Sequence, residues 1–246
     1  MDLGIRGRRA AVAAASAGLG HASAAALAAE GAQVTICGSD EGRARAAAER
    51  LGAGVRWLRA DVSGPDGAAA FVEEAAALMG GLDILVVNGP GPPPGTIAQT
   101  PPEAYQPALE RSLLTVVRMS LAALPHMRER GWGRIVAITS LGVRQPYPNL
   151  ALSNTARAGA TGFLRTLARE VAADGITVNS VQPGLHRTER VTQVYGGSPP
   201  VGDVPAGRLG EPADFGAVVA FLCSAQAGYL TGAAVPVDGG AYQALL

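Results

Sequence analysis

The stretch Arg9-Ala-Ala-Val-Ala-Ala-Ala-Ser-Ala-Gly-Leu-Gly20 decides the fold. An apolar run, Ala10 to Ala15, stops at Ser16 and turns through Gly18 and Gly20, and an alanine-rich helical run, Ala22 to Ala29, follows. Strand, glycine turn and helix in succession present free backbone N–H groups to a phosphate group. Glycine is needed where a side chain would hold that group away. The first position of the pattern is Ala14, where a glycine is expected, and a chain with 33 glycines also contains Gly-x-Gly pairs by chance. The plain alternative is a tight βα turn.

Working outward, apolar runs alternate with helical segments. Gln33–Cys37 reads as a second strand and Glu41–Leu51 as a helix with Asp40 as its N-cap. Val55–Arg59 is a third strand leading to Asp61-Val62, and Pro65–Met79 is helical. Leu82–Asn88 is a fourth strand whose near-continuous apolar character suits a parallel strand buried on both faces. The loop Gly89-Pro-Gly-Pro-Pro-Pro-Gly95 is stiff and poor in backbone donors. A helical pair spans Pro102 to Arg130, followed by a fifth strand, Arg134–Thr139, and a long helix, Leu150–Ala173. Ile176–Val181 is a sixth strand stopped by Pro183-Gly184, and the Gly/Pro-rich segment His186–Gly207 has the character of a mobile lid. A helix over Pro212–Cys223 and a last strand, Ala233–Val237, complete the chain. Seven strands alternating with helices predict an α/β fold, a doubly wound seven-stranded parallel sheet in a single domain over 1–246. Ligands bind such sheets at the carboxyl ends of the strands, near the switch point in strand order.

Composition bounds the functional classes. The 246 residues are 48% hydrophobic and 16% charged, against a usual charged share of about 25%, which predicts a large core. Formal net charge is zero, so no basic surface for nucleic acid is expected. Cys37 and Cys223 sit in apolar runs as small core residues, and two cysteines make no disulfide framework. No Cys/His cluster has metal-ligand spacing. Arg8-Arg9 before the alanine run mimics a signal peptide, but Gly18 and Gly20 interrupt it and alanine is only weakly hydrophobic. No apolar run approaches the ~20 residues that cross a bilayer, so a cytoplasmic protein without membrane contact is expected. The chain contains no lysine: all 20 Lys+Arg residues are arginine.

Taken together the landmarks resemble the short-chain dehydrogenase/reductase family over nearly the whole length. They are Gly18-Leu-Gly20, Asp61-Val62, Asn88, Asn179, Pro183-Gly184 with Thr188, Arg208-x-Gly210-x-Pro212, and Thr231-Gly232 leading to Val237-Asp-Gly-Gly240. The resemblance implies a Rossmann fold and a nicotinamide cofactor across the strand ends. Ser16, Gly18, Leu19 and Gly20 would hold the pyrophosphate, and Asp61 and Val62 would face adenine. Asn88 and Gly89 would line the ribose side, with Pro183, Gly184 and Thr188 closing over the carboxamide. Gly91, Ser112 and His186 are expected at the substrate. The family's NAD-selecting acid would fall at Gly38, so its absence favours NADP(H) over NAD(H), with Ser39 a donor to the extra phosphate and Arg43 nearby.

The catalytic groups depart from the family pattern, which places a Tyr and a Lys four residues apart on a helix after a strand-end Ser. Ser140 matches the serine; the Tyr position falls at Ser153, the Lys position at Arg157 and the helical Asn position at Ser112. Slipping the register by one gives Leu152 and Ala156. Arg157 keeps a permanent charge one turn from Ser153 and suits a ribose or an acidic substrate group. An alcohol such as Ser153 is a poor general acid near neutrality. A relay through water, Ser140 or a phenol remains open, and Tyr147 is the phenol candidate. The plain alternatives are a strand-end Ser140, a packing Ser153, a loop aromatic at Tyr147 and an exposed loop histidine at His186; His126 is read as structural.

The expected function is thus an NADP-dependent reductase with altered proton delivery. It would transfer hydride to a carbonyl or activated double bond of a small, mostly apolar molecule. A non-redox enzyme on the same scaffold (cyclase, isomerase or dehydratase) and a cofactor-binding protein without turnover are the alternatives. The resemblance also implies a homotetramer, or a homodimer, through the long helices and the tail Tyr242–Leu246.

Overall fold

The computed structural model describes residues 2–197 and 199–245. Seven parallel strands form one sheet: β1 (Arg9–Val12), β2 (Gln33–Gly38), β3 (Arg56–Arg59), β4 (Ile84–Val87), β5 (Gly133–Ile138), β6 (Ile176–Pro183) and β7 (Ala234–Val237). Their order across the sheet is β3-β2-β1-β4-β5-β6-β7, so the direction of growth reverses between β1 and β4. This is the doubly wound architecture expected from the sequence, and the reversal opens a crevice at the strand ends.

Both faces of the sheet are covered because the strands are apolar on both sides. Alternate residues serve two cores. Ala11, Leu85 and Val87 point to one with Phe71, Met119 and Leu164. Ala10, Val12, Ile84 and Val86 point to the other with Leu27 and Phe215. Fully burying one such large side chain stabilises the fold by about 1.5–3 kcal/mol. Helices α1 (Gly18–Ala29) and α8 (Pro212–Leu222) share the second core. They approach closely because α1 is built of alanine and serine and because a Cβ on Gly216 would run into the Ala22 carbonyl.

Most boundaries shift by one or two residues from the sequence reading. Helix α1 begins at Gly18 rather than Ala22, so the glycine turn is the first helical turn. Helix α2 (Glu41–Leu51) is capped as expected, the Asp40 Oδ1 accepting from the Arg43 N–H at 2.7 Å. Helix α3 runs Gly67–Met79, after Pro65. Strand β4 is shorter than Leu82–Asn88. Asp83 lies before it and turns its carboxylate onto Arg9, at 2.6 Å from Nη2 and 2.7 Å from Nε.

Two segments differ in kind. The expected helical pair over 102–130 is one bent rod: a 3₁₀ turn, α4 (Tyr105–Leu109), a π turn (Glu110–Leu114) and α5 (Thr115–Arg128). The π turn closes on the Glu110 carbonyl, which accepts the Thr115 N–H, and the Thr115 hydroxyl reaches the same carbonyl at 3.1 Å and Val62 O at 2.7 Å. The segment 186–207 contains α7 (Glu189–Tyr195), with the Thr188 hydroxyl accepting from Val191 N–H at its start, and a 3₁₀ turn, Val201–Asp203. Ser198 of that segment and Leu246 of the tail lie outside the described residues. The long helix α6 spans Ala151–Val171. Among the described residues no helix is long and apolar enough to cross a membrane, and no His/Cys/Asp/Glu group could hold a metal ion.

Candidate active site

A cavity of about 540 Å³ lies over the carboxyl ends of the central strands. One half is built by the turns after β1, β2, β3 and β4. Ser16, Ala17, Gly18 and Leu19 form its floor, Ser39 and Arg43 stand at the end of β2, and Asp61, Val62, Asn88 and Gly89 close it. The other half is built by β5, α6, the end of β6 and α7. There the wall holds Ser140, Tyr147, Ser153 and Arg157, with Pro183, Gly184, His186 and Thr188 opposite and Gly91 at the loop.

The floor depends on close backbone approach. Asn88 Nδ2 donates to the Ala14 carbonyl at 3.0 Å and so ties the end of β4 to the first turn. Ala14 takes a φ of 47°, the single non-glycine residue with positive φ among those described. This is where the turn pattern wants glycine, and an L-residue there costs about 1–2 kcal/mol. Gly20 does not face the cavity: it is buried beneath, and a Cβ there would stand 2.6 Å from Asn88 Nδ2 and 2.9 Å from Ala14 O. The third glycine therefore lets helix and strand pack, as against the ligand contact expected of it. Asp61 accepts from the Ser63 hydroxyl at 2.6 Å and from its N–H at 3.0 Å. Those hydrogen bonds, with the Arg111 charge, hold its carboxyl below the usual range.

In the reaction half the four expected residues meet. The Ser140 hydroxyl accepts from the Gly142 N–H at 3.0 Å and keeps its own proton to donate into the cavity. Ser153 is buried on the first turns of α6, and its hydroxyl has no hydrogen-bond partner among the described residues. Arg157, one turn on, donates from Nη1 to the Ile138 carbonyl at 2.8 Å. Burial, then repulsion from Arg190, pushes the Arg157 guanidinium down to about 10. Burial, reinforced by Tyr195 and Asp238, pushes the Tyr147 phenol above its ordinary value.

Of the expected substrate residues, Ser112 is placed differently and His186 borders the cavity. Ser112 sits in the π turn, buried, with its hydroxyl unpartnered, and lies behind the wall rather than in it. His186 borders the cavity but is buried, not an exposed lid histidine. Its ring packs edge-on against Phe215 at 5.3 Å, and Nδ1 lies 3.2 Å from Gly184 O. Burial lowers its pKa against the opposing pull of that carbonyl and the nearby carboxylates, so the ring is neutral at pH 7. Cys37 and Cys223 are buried free thiols, both pushed up to about 12 by burial. His126 pairs with Glu73 on the surface, far from the cavity wall.

Among the wall residues that sequence reasoning does not name as site residues are three with functional side chains, Arg43, Arg190 and Tyr195. Arg43 enters the sequence reading only by its position near Ser39. Arg190 and Tyr195 ride on α7, within the segment read as an irregular lid, and no motif marks them.

A long crevice whose floor is a glycine turn at the reversal point of a doubly wound sheet defines a dinucleotide-type binding protein. The open volume above Ser16–Leu19 fits a dinucleotide, since the floor offers backbone N–H groups and no side chain larger than Leu19. The family model described as Enoyl-(Acyl carrier protein) reductase matches residues 13–242. The chain is 36% identical over 243 residues to 3-oxoacyl-(acyl-carrier-protein) reductase FabG of Escherichia coli (strain K12), covering 98% of this chain and 99% of that one. It is 35% identical over 238 residues to cis-4-hydroxycyclohexanecarboxylate dehydrogenase of Sinomonas cyclohexanicum, covering 95% and 96%. L-sorbose reductase from Gluconobacter frateurii, solved with NADPH and L-sorbose, superposes with a TM-score of 0.91 at 33% identity, covering all of both chains. The chain belongs to the short-chain dehydrogenase/reductase family.

Proposed function

We propose that the protein is an NADP-dependent oxidoreductase that moves hydride to or from a carbonyl or activated double bond of a small molecule. The observation that carries this reading is the continuity of one cavity from Ser16–Leu19 to Ser140, Tyr147, Ser153 and Arg157. NADPH, when bound, supplies the hydride. Ser16, Gly18 and Leu19 bind its diphosphate through the floor, Asp61 and Val62 meet the adenine, and Asn88 and Gly89 line the ribose. Pro183, Gly184 and Thr188 cover the nicotinamide end, with Gly91 and His186 toward the substrate. Support for NADP comes from the end of β2. Ser39 and Arg43 face the cavity there, and Asp40 spends its carboxylate on the α2 cap. No acid is left at Gly38 to reject a 2′-phosphate. The relative L-sorbose reductase was solved with NADPH, which agrees.

Proton delivery is altered in this reading. By sequence register Ser153 and Arg157 take the family's Tyr and Lys positions; the Tyr147 phenol, which lines the same cavity, is assigned the proton, delivered directly or through Ser140. Its raised pKa keeps it protonated at neutral pH. The segment 186–207 acts as the lid of a single domain. Homotetramer assembly, with the dimer as the alternative, is part of the same proposal. The decisive experiment is a fluorescence titration of the purified protein with NADPH and NADH, followed by absorbance turnover against a carbonyl panel. NADPH binding at micromolar level and carbonyl-dependent oxidation are expected; no nucleotide binding overturns the reading.

The replaced Tyr and Lys positions favour one second reading, a non-redox enzyme that uses Ser140 and Arg157 to bind and polarise its substrate. Product formation with no change in NADPH absorbance would select it.

A further inference from the structure

Two arginines in the reaction half of the cavity have no negative partner. Among the described residues neither Arg157 nor Arg190 forms an ion pair, although Glu189 lines the same wall. Each guanidinium has five N–H donors. Arg157 spends one on Ile138 O, at 2.8 Å, and Arg190 one on Pro92 O, at 2.7 Å. The two bonds fix the cations from opposite sides, one to the end of β5 and one to the proline-rich loop. Gly91 leaves the room Arg190 needs, since a Cβ there would come within 3.2 Å of its Nη2.

The backbone nearby cannot replace these donors. Pro90, Pro92, Pro93 and Pro94 have no N–H, so the loop above this half offers carbonyls but few donors. Arg190 is exposed at the cavity wall and its charge adds to the burial that pushes Arg157 down, so an anion held between the two guanidinium groups would relieve that repulsion. A carboxylate matches the fork of a guanidinium with two parallel N–H···O bonds.

We propose that Arg157 and Arg190 form a carboxylate-binding site in the reaction half, so that the substrate is an acid. The site itself follows from the two side chains; the word substrate rests on the oxidoreductase reading above. The carboxylate then lies one helical turn from Ser153, with the Tyr147 phenol and Ser140 in the same half of the cavity.

The test uses the full chain and two isosteric probes, benzoate and the neutral benzamide, titrated calorimetrically with and without NADPH. The expected result is benzoate binding at least tenfold tighter than benzamide, with the preference falling to within about twofold in Arg190→Met and in Arg157→Met. Arg190→Lys, which keeps the charge and loses the fork, should retain part of the preference and shows that loss in the Met variants is not misfolding. Equal binding of the two probes to the wild-type chain overturns the proposal. So does a tenfold weaker NADPH affinity in Arg190→Met with the benzoate preference intact, which would assign the arginine to cofactor phosphate. Failure of NADPH to bind while benzoate discrimination persists would sink the oxidoreductase reading and leave the anion site standing.

Discussion

The two halves of the cavity are made of different material. The half over β1 to β4 is floored by backbone and small residues, and the two polar side chains nearest the strand ends, Asn88 and Asp61, are already engaged. Asn88 is bonded to Ala14 and Asp61 to Ser63. In the half over β5 and β6, among the described residues, Ser153 has no hydrogen-bond partner and Arg157 and Arg190 each use a single donor. Backbone donors recognise a shape common to many ligands, and free side chains set the chemistry done on a particular one. Within one fold the first half is therefore pinned by packing, and the second is free to change residue by residue.

The largest effect that would sharpen this contrast is on Tyr147. Replacing it with Phe should lower the turnover rate by about 10²- to 10⁴-fold, the usual worth of a positioned proton donor. NADPH affinity should stay within about twofold, because the phenol belongs to the other half. Since the raised pKa keeps the phenol protonated through neutral pH, the wild-type reduction rate should stay flat there and decline only above the ordinary phenol range. Stopped-flow turnover with a parallel binding titration reads both. A large loss of NADPH affinity would break the division between the halves.

A second effect lies beneath both halves, at the amino ends of β1 and β4. Asp83 is almost wholly buried, at 2% side-chain exposure, and pairs with Arg9 at 11%. Burial alone would push its carboxyl up, but the hydrogen bonds from Arg9 and the charges of Arg9 and Arg8 outweigh it and hold it below the ordinary range. A depressed carboxyl contributes stability fully above its unfolded value near 3.9 and loses it as pH falls through the lower folded value. Asp83→Asn should therefore cost about 3 kcal/mol at pH 7, since it leaves a nearly buried cation unpaired. The difference from wild type should shrink below about pH 4 in urea melts, while the cavity's probe affinities stay unchanged.

How much of this was legible in the sequence follows the same division. The five inner strands are buried and show as apolar runs, the edge strands β3 and β7 are only partly buried and show as short runs between turns, and Gly18-Leu-Gly20 marks the floor. The cap at Asp40 was visible because a side-chain acceptor before a helical run has one local use. The π turn was not, because it depends on Thr115 reaching Glu110 and on the contact to Val62, 53 residues away in sequence. That widened turn sets Ser112 behind the wall instead of in it. Gly20 looked like a ligand contact because spacing cannot separate a glycine under the strand from one facing the crevice. For His186 the polar stretch left an exposed loop histidine open beside the substrate contact, and the ring is buried against Phe215, 29 residues on, at the cavity wall. Arg190 carried no signal at all, since only the return of α7 onto Gly91 and Pro92 gives that arginine a place.

A smaller effect concerns the outer end of the first half. Arg43 faces the cavity beside Ser39, where a 2′-phosphate would lie. A hydrogen bond to a charged group is worth about 1.5–3 kcal/mol, so Arg43→Ala should weaken NADPH binding by at least about tenfold. NADH affinity should be unchanged, and fluorescence titration with both nucleotides reads the ratio. Equal losses for the two would move Arg43 away from the extra phosphate and undo the NADP preference.

The smallest effect tests whether the first half is pinned by packing at all. Ala14 holds φ at 47° because its N–H faces the Cys37 sulfur at 3.3 Å while its carbonyl accepts from Asn88. The side chain has no part in either contact, so Ala14→Gly keeps both and removes the penalty of a Cβ in the left-handed region. The unfolded chain gains freedom from the added glycine, which offsets part of the gain. A net stabilisation of about 1 kcal/mol should remain, a rise of about 2–4 °C in Tm for a chain of this size. NADPH affinity should not change, because the backbone path is the same. A lower Tm would mean that the turn is not strained and that the alanine methyl packs under the floor, and the contrast between a backbone half and a side-chain half would then fail at its first residue.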